Sequence, residues 1–337
     1  MGDIPLMRAG LLLMVVIAIV GGLSMLVLPD GRSVRGRDDD GKEKDRDRVE
    51  SVAAAPDAAS PVSTATQGGL ACRPDAASVQ LPDAVHESSG VALAGSGDAV
   101  WTHNDSGRPA LYLVGLDGRL RGEVAVTGAS VTDWEDLAAG PCPGSGRCLY
   151  IADIGDNQAA RPNVTIYRVP EPAPGATRTQ PAAALTAAYP DGAHDAEALL
   201  VLPDGAVYIV TKGETGPVAV YELPRTARPG TVARMRQVAV LSPERVSRSE
   251  RITGAAASPD GQWLAMRTLR TLRFYPTGNL SAGTLGTPLT HDLRPLREPQ
   301  GEAVALGADG GVYLSSEGGG RNTPATLSHL SCSLPQP

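Results

Sequence analysis

The chain has 337 residues, with 30 Lys and Arg against 37 Asp and Glu, a formal net charge of -7. That balance supplies no basic footprint for a phosphate backbone and sets nucleic-acid binding aside. Aromatic residues are only 4 %, with a single Phe, while 39 Gly and 28 Pro signal many turns, so the core must rest on Val, Leu, Ile and Ala packed in sheets.

Residues 9–28 form an apolar run whose only polar member is Ser24. A helix of that length crosses a hydrocarbon core of about 30 Å. The run ends Leu26-Val27-Leu28-Pro29, with no small-x-small cleavage site. Residues 1–28 therefore read as a cytoplasmic tip and an uncleaved transmembrane signal anchor. Residues 29–71 read as a linker, first of mixed charge and then rich in Ala, Ser, Pro and Thr, a composition that buries no core. Residues 72–337 remain for one folded domain. Its four cysteines are even in number and lack Cys-x-x-Cys spacing. Cys142 and Cys148 bracket a Gly-rich turn, and Cys72 and Cys332 flank everything between. Disulfides Cys142–Cys148 and Cys72–Cys332 are the expectation, and with them an extracytoplasmic domain on a single-pass cell-membrane anchor.

From residue 79 onward the chain repeats. Five times a small-residue or acidic knot leads into an apolar run, a Gly-containing turn and a second apolar run ending in polar residues. The knots are Glu87-Ser88-Ser89-Gly90, Asp133-Trp134-Glu135-Asp136, Asp195-Ala196-Glu197, Arg251-Ile252-Thr253-Gly254 and Glu298-Pro299-Gln300-Gly301-Glu302. The first repeat predicts strands at 90–94, 99–103, 110–115 and 120–127; the second at 135–139, 148–154, 164–169 and 182–188. The third predicts 197–202, 206–211, 218–223 and 232–241, and the fourth 252–258, 262–267, 271–275 and 285–292. The fifth has three, 302–306, 311–316 and 325–331, and residues 77–81 would supply its fourth strand and close a ring. Helices should be nearly absent. Four-stranded repeats set radially make an all-β propeller, counted here at five blades, with six left open by the longer second and third repeats.

In such a blade the innermost strand starts at the face to which the second strand returns, so the knots and the ends of their partner runs share one channel mouth. Two carboxylates 4 Å apart repel by about 4 kcal/mol at an effective dielectric of ~20, so cations belong there. Calcium takes hard oxygen ligands, and the candidate set is Asp105, Asp133, Glu135, Asp136, Asp153, Asp156, Asn157, Asp195 and Glu197. A ligand would further meet Asn104, Arg108, Arg161, Arg251, Arg267, Glu302, Glu317 and Arg321. Lys212 is the one lysine after the linker, where a compact ammonium suits better than a guanidinium fork. With His103 and His194 it forms the catalytic candidate set, each histidine standing near carboxylates as a general base does. No Gly-x-Ser-x-Gly elbow supports serine-hydrolase chemistry.

At Asn104-Asp105-Ser106-Gly107, Asp133-Trp134-Glu135-Asp136-Leu137-Ala138, Asp153-Ile154-Gly155-Asp156-Asn157 and His194-Asp195-Ala196-Glu197-Ala198-Leu199 the chain resembles bacterial exported propeller proteins. More loosely it is similar to the SdiA-regulated and phytase-like esterase families. The resemblance implies calcium at Asp133, Glu135, Asp136, Asp153, Asp156, Asp195 and Glu197. The expected function is a membrane-tethered binding module whose acidic mouth holds calcium and recognises a small-molecule, glycan or protein ligand; the alternative is a metal-dependent phosphoester or ester hydrolase.

Overall fold

Each repeat folds into one antiparallel sheet, and five sheets close into a ring. The computed structural model describes residues 69–319 and 323–336. The expected membrane anchor, the linker as far as residue 68, and Arg321 lie outside the described residues. Among the described residues no helix is long and apolar enough to cross a membrane.

Two short strands, β1 (Ala71–Pro74) and β2 (Val79–Gln80), precede the first repeat. Blade 1 is β3 (Ser88–Leu93), β4 (Ala99–Asn104), β5 (Ala110–Gly115) and β6 (Leu120–Ala125). Blade 2 is β7 (Trp134–Pro141), β8 (Arg147–Asp153), β9 (Val164–Pro170) and β10 (Ala183–Ala188). Blade 3 has β11 (Ala196–Val201), β12 (Val207–Thr211) and β13 (Val218–Leu223); the chain then forms β14 (Val232–Arg234) before the outer strand β15 (Arg236–Ser242). Blade 4 is β16 (Ile252–Ala257), β17 (Trp263–Thr268), β18 (Thr271–Pro276) and β19 (Leu289–Asp292), with a single turn of helix, Gly278–Ser281, before β19. Blade 5 is β20 (Gln300–Leu306), β21 (Gly311–Glu317) and β22 (Thr326–Ser333), completed by β1 and β2 along the same edge of β22.

The inner strands are buried on both faces because each blade is sandwiched between two others. β11 (Ala-Glu-Ala-Leu-Leu-Val) is buried throughout, while β6 at the outside of blade 1 buries only Val124. The core accordingly divides into five apolar clusters, one at each blade interface: Trp101 and Trp134 between blades 1 and 2, Tyr150 and Leu199 between 2 and 3, Leu200 and Leu264 between 3 and 4, Phe274 and Leu314 between 4 and 5, Tyr112 and Tyr313 between 5 and 1. The last of these closes the ring. Four hairpins turn on Asp-Gly pairs, at Gly118, Gly205, Gly261 and Gly310, with φ of 80, 82, 70 and 82°. In each, the Asp carboxylate accepts the N–H two residues on, which makes these acids turn formers.

Closure differs in detail from the expectation. The segment 77–81 contributes only the two-residue β2, and the other half of the outer edge is β1, where Cys72 faces Cys332 in register and is bonded to it. The Cys142–Cys148 disulfide closes the β7–β8 hairpin. The expected continuous strand 232–241 divides at Met235. Its first part crosses to blade 2 and pairs parallel to β10, and Met235 itself, 2 % exposed, joins the core between blades 2 and 3.

Candidate functional site: an acidic channel mouth

Every inner strand carries an irregularity at the same place. The pairing register skips between Ser88 and Gly90, Trp134 and Asp136, Ala196 and Ala198, Ile252 and Gly254, and Gly301 and Val304. A bulge re-aims the extra residue out of the sheet's alternation. The residues set apart are Ser89, Glu135, Glu197, Thr253 and Glu302, all at most 7 % exposed, and they form a ring around the channel axis. Ser89 Oγ donates to Glu135 Oε2 at 3.4 Å, and Thr253 Oγ1 donates to the carbonyl of Glu302 at 3.0 Å. Three of the five are glutamates. Burial, then the charge of Glu197, pushes Glu135 well above the usual carboxylate range; burial, then Glu197 and Glu317, does the same to Glu302.

The knots are tied to one another around the rim. Trp134 N–H donates to the carbonyl of Asp105 at 3.0 Å, joining blades 1 and 2; Asp156 N–H donates to Asp195 Oδ1 at 2.8 Å, joining 2 and 3; Ile252 N–H donates to the carbonyl of Lys212 at 3.1 Å, joining 3 and 4. Lys212 stands in the densest carboxylate cluster. Its Nζ contacts Glu197 directly, lies 3.5 Å from Asp195 Oδ2 and 3.6 Å from Glu214 Oε2, and reaches Asn157 Oδ1 at 3.5 Å. Burial works against the charge, but Glu197, Asp195 and Glu135 outweigh it and keep the ammonium protonated. Asp133 and Glu135 pack on Gly155, where a Cβ would collide with both carboxylates.

On the opposite arc, Glu87, Asp105 and Glu317 crowd together. Burial and then Glu87 raise Asp105 to about 7, burial and then Asp105 raise Glu317 to about 7, and a hydrogen bond from Ser106 holds Glu87 low. A cleft of about 120 Å³ opens from the mouth between blades 3, 4 and 5, lined by Glu197, Lys212, Arg248, Arg251, Thr253, Gln300 and Glu302 with Leu269. The far end of the channel is different in kind, a cavity of about 180 Å³ lined mostly by small and apolar residues such as Leu93, Ala139, Val201, Ala257 and Leu306, with Arg147 at its wall.

Several candidates take other roles. Asp136 is fully buried, and its carboxylate accepts the N–H of Leu137 at 2.8 Å, of Leu199 at 2.8 Å and of Ala255 at 3.3 Å, binding blades 2, 3 and 4 at the axis. Burial outweighs those three bonds and lifts it to about 8. Asp153 is spanned by Arg161, whose NH2 donates to Oδ1 at 2.8 Å, and Asp156 Oδ2 accepts the Arg161 N–H at 2.6 Å. Arg267 is fully buried, donating to the carbonyls of Ala303 and Ser315 at 2.8 Å each and pairing with Glu298. It joins blades 4 and 5 and is closed to ligand. Arg108 turns outward to Glu123 at 2.6 Å, and Asn104 holds the loop before β3 through Glu87 N–H and the Ala84 carbonyl. Arg251 pairs with Glu214 at 2.8 Å.

The two histidines are not free bases in the mouth. His103 is 0 % exposed, edge-on to Trp134 at 5.3 Å between ring centres, and burial holds it near 4, hence neutral. His194 Nε2 lies 3.0 Å from Asp191 Oδ1 and 3.1 Å from the Tyr221 hydroxyl, against Tyr189. Nor do the oxygens make a calcium site as arranged. Among the described residues no three Asp, Glu, His or Cys side chains converge as ligands do, and the Lys212 ammonium occupies the space between Asp195, Glu197 and Glu214. Reasoning from sequence missed Ser89 and Thr253 as ring members and Arg248 and Gln300 as cleft walls. The shared position in the knots was the signal for the first pair and for Gln300, which stands in the fifth knot; nothing marked Arg248.

No protein-family model matches the sequence, and no curated protein does. Solved structures with a similar plan include the PQQ-bound aldose sugar dehydrogenase of Streptomyces coelicolor (TM-score 0.47, 13 % identity, 78 % of this chain and 98 % of that one). A gluconolactonase of Xanthomonas campestris (0.40, 15 %, 73 % and 72 %) and a calcium-binding regucalcin of Agrobacterium tumefaciens (0.42, 13 %, 77 % and 96 %) are others. Likenesses of that depth carry no argument about what this chain binds.

Proposed function

We propose that the protein is an extracytoplasmic binding module that captures a positively charged group at its acidic channel mouth. The observation that carries this reading is the bulge ring, in which Glu135, Glu197 and Glu302 share one position in three blades and, among the described residues, Lys212 on Glu197 is the one ion pair they make. Buried carboxylates without a partner are costly, and a ligand that brings the missing charge recovers that cost. The two disulfides support an oxidising compartment, and the apolar run at 9–28 supports tethering to a membrane. For the alternative of a hydrolase, His103 and His194 do not supply a base free in the mouth, and a carboxylate would have to serve.

Lys212→Ala tests the reading. Removing the internal ammonium leaves Asp195 and Glu197 without their cation, while Glu214 keeps Arg251, so the unfolding midpoint should fall. Added n-propylammonium should restore it by occupying the vacated place; restoration by calcium alone would make the natural guest a metal ion. A variant that unfolds like the parent, or that neither cation restores, refutes a cation-seeking mouth.

A further inference from the structure

The cleft between blades 3, 4 and 5 presents groups of opposite charge with capacity to spare, a glutamate and an arginine. Glu302 is 6 % exposed, takes a hydrogen bond from Gln300, has no ion pair among the described residues, and lines the cleft. Arg251 lines the same cleft; its NH1 is taken by Glu214, but its Nε is buried without a hydrogen-bond acceptor. Arg248, exposed on the three-residue turn just before, adds a second guanidinium. Between these charges lie the neutral hydrogen-bonding groups of Thr253 and Gln300 and one aliphatic side chain, Leu269.

A guest that carries only positive charge satisfies Glu302 and leaves the Nε of Arg251 without an acceptor. A guest that carries only negative charge meets Arg248 and Arg251 but leaves Glu302 without a counter-charge. A small molecule with both charges satisfies both walls at once. The volume, about 120 Å³, admits on the order of ten water-sized groups, the scale of a free amino acid. We propose that this cleft is a binding site for a small zwitterion, its ammonium on Glu302 and its carboxylate on Arg251 and Arg248, with Leu269 against the carbon chain. Planar guanidinium groups suit the carboxylate end because they offer paired donors in a fixed fork. The proposal rests on the reading of the mouth as a cation site and adds the anion-recognising wall.

The experiment is calorimetric titration of the whole protein with glycine, β-alanine and 4-aminobutanoate, against n-propylamine as cation alone and butanoate as anion alone. At least one zwitterion should bind roughly tenfold more tightly than n-propylamine, and butanoate should not bind. Arg251→Gln should bring that zwitterion down to the level of n-propylamine and leave n-propylamine unchanged. Arg248→Gln, at an exposed position where folding is not at stake, should weaken the zwitterion alone. Glu302→Gln should weaken both. If n-propylamine binds as tightly as every zwitterion and the arginine variants change nothing, the zwitterion site is wrong while the cation-seeking mouth stands. If neither class binds, both readings fall.

Discussion

Asp136→Ala separates a structural carboxylate from a ligand-binding one. The side chain is fully buried and accepts N–H groups of three blades, at 2.8, 2.8 and 3.3 Å. Truncation leaves the amides of Leu137, Leu199 and Ala255 without that acceptor. A buried donor left unpaired costs about 1–3 kcal/mol, and a water entering the vacated space keeps each near the lower end, so the sum is about 3–5 kcal/mol. At ~2–4 °C per kcal/mol for a domain of this size, the unfolding midpoint should fall by roughly 6–20 °C. Asp136→Asn keeps one acceptor oxygen but turns an NH2 toward amide donors, and should fall in between. Circular dichroism during thermal and urea unfolding measures the loss, and n-propylamine affinity, compared below the transition, should be little changed. A midpoint within about 2 °C of the parent together with lost binding would make Asp136 a ligand-contacting group and refute the axial role.

The pH dependence has a definite sign. Asp105 and Glu317 titrate near 7 and Asp136 near 8 in the folded domain, against about 4 in an unfolded chain, so between those limits the folded state holds protons the unfolded chain has released. Stability without ligand should therefore decline as pH rises from about 5 to 8, by several degrees in midpoint; a rise over that window would contradict the burial assigned to these groups. Arg267→Ala strands Glu298 and two carbonyls between blades 4 and 5 and should cost about 3–5 kcal/mol, with Arg267→Met/Glu298→Gln milder because no charge is left alone. Equal losses in urea unfolding would undo that assignment. Replacing Cys72 and Cys332 by Ser opens a loop of sequence separation 260 and should destabilise by up to ~5 kcal/mol, whereas the Cys142–Cys148 pair, separation 6, should matter by about 2 kcal/mol. The reverse order would place ring closure elsewhere.

The blade plan was legible because each repeat alternates apolar runs with Gly-containing turns, and both disulfides followed from where the cysteines flank those runs. What the chain alone does not display is a bulge. In Asp133-Trp134-Glu135-Asp136 the register skip sends Glu135 into the channel ring and Asp136 onto the amides of three blades, so two adjacent acids that look alike in sequence do unlike work. His103 misled for a related reason, since the end of β4 is covered by blade 2 and Trp134. The crossing of β14 to blade 2 was hidden inside what reads as one strand, 232–241, because the packing of Met235 divides it. Arg267 looked like a rim cation because the partner runs end there, yet its side chain turns back between two blades to the carbonyls of Ala303 and Ser315.

The central claim is that buried glutamates at the mouth wait for a positive charge. Isothermal titration of the protein with n-propylamine at neutral pH, in two buffers of different ionisation enthalpy, counts the protons exchanged on binding. Burial raises Glu135 and Glu302 above the usual carboxylate range in the empty mouth and a bound cation draws them back down, so binding should release protons, with affinity rising with pH. Binding with no proton released, or no binding at all, would contradict it.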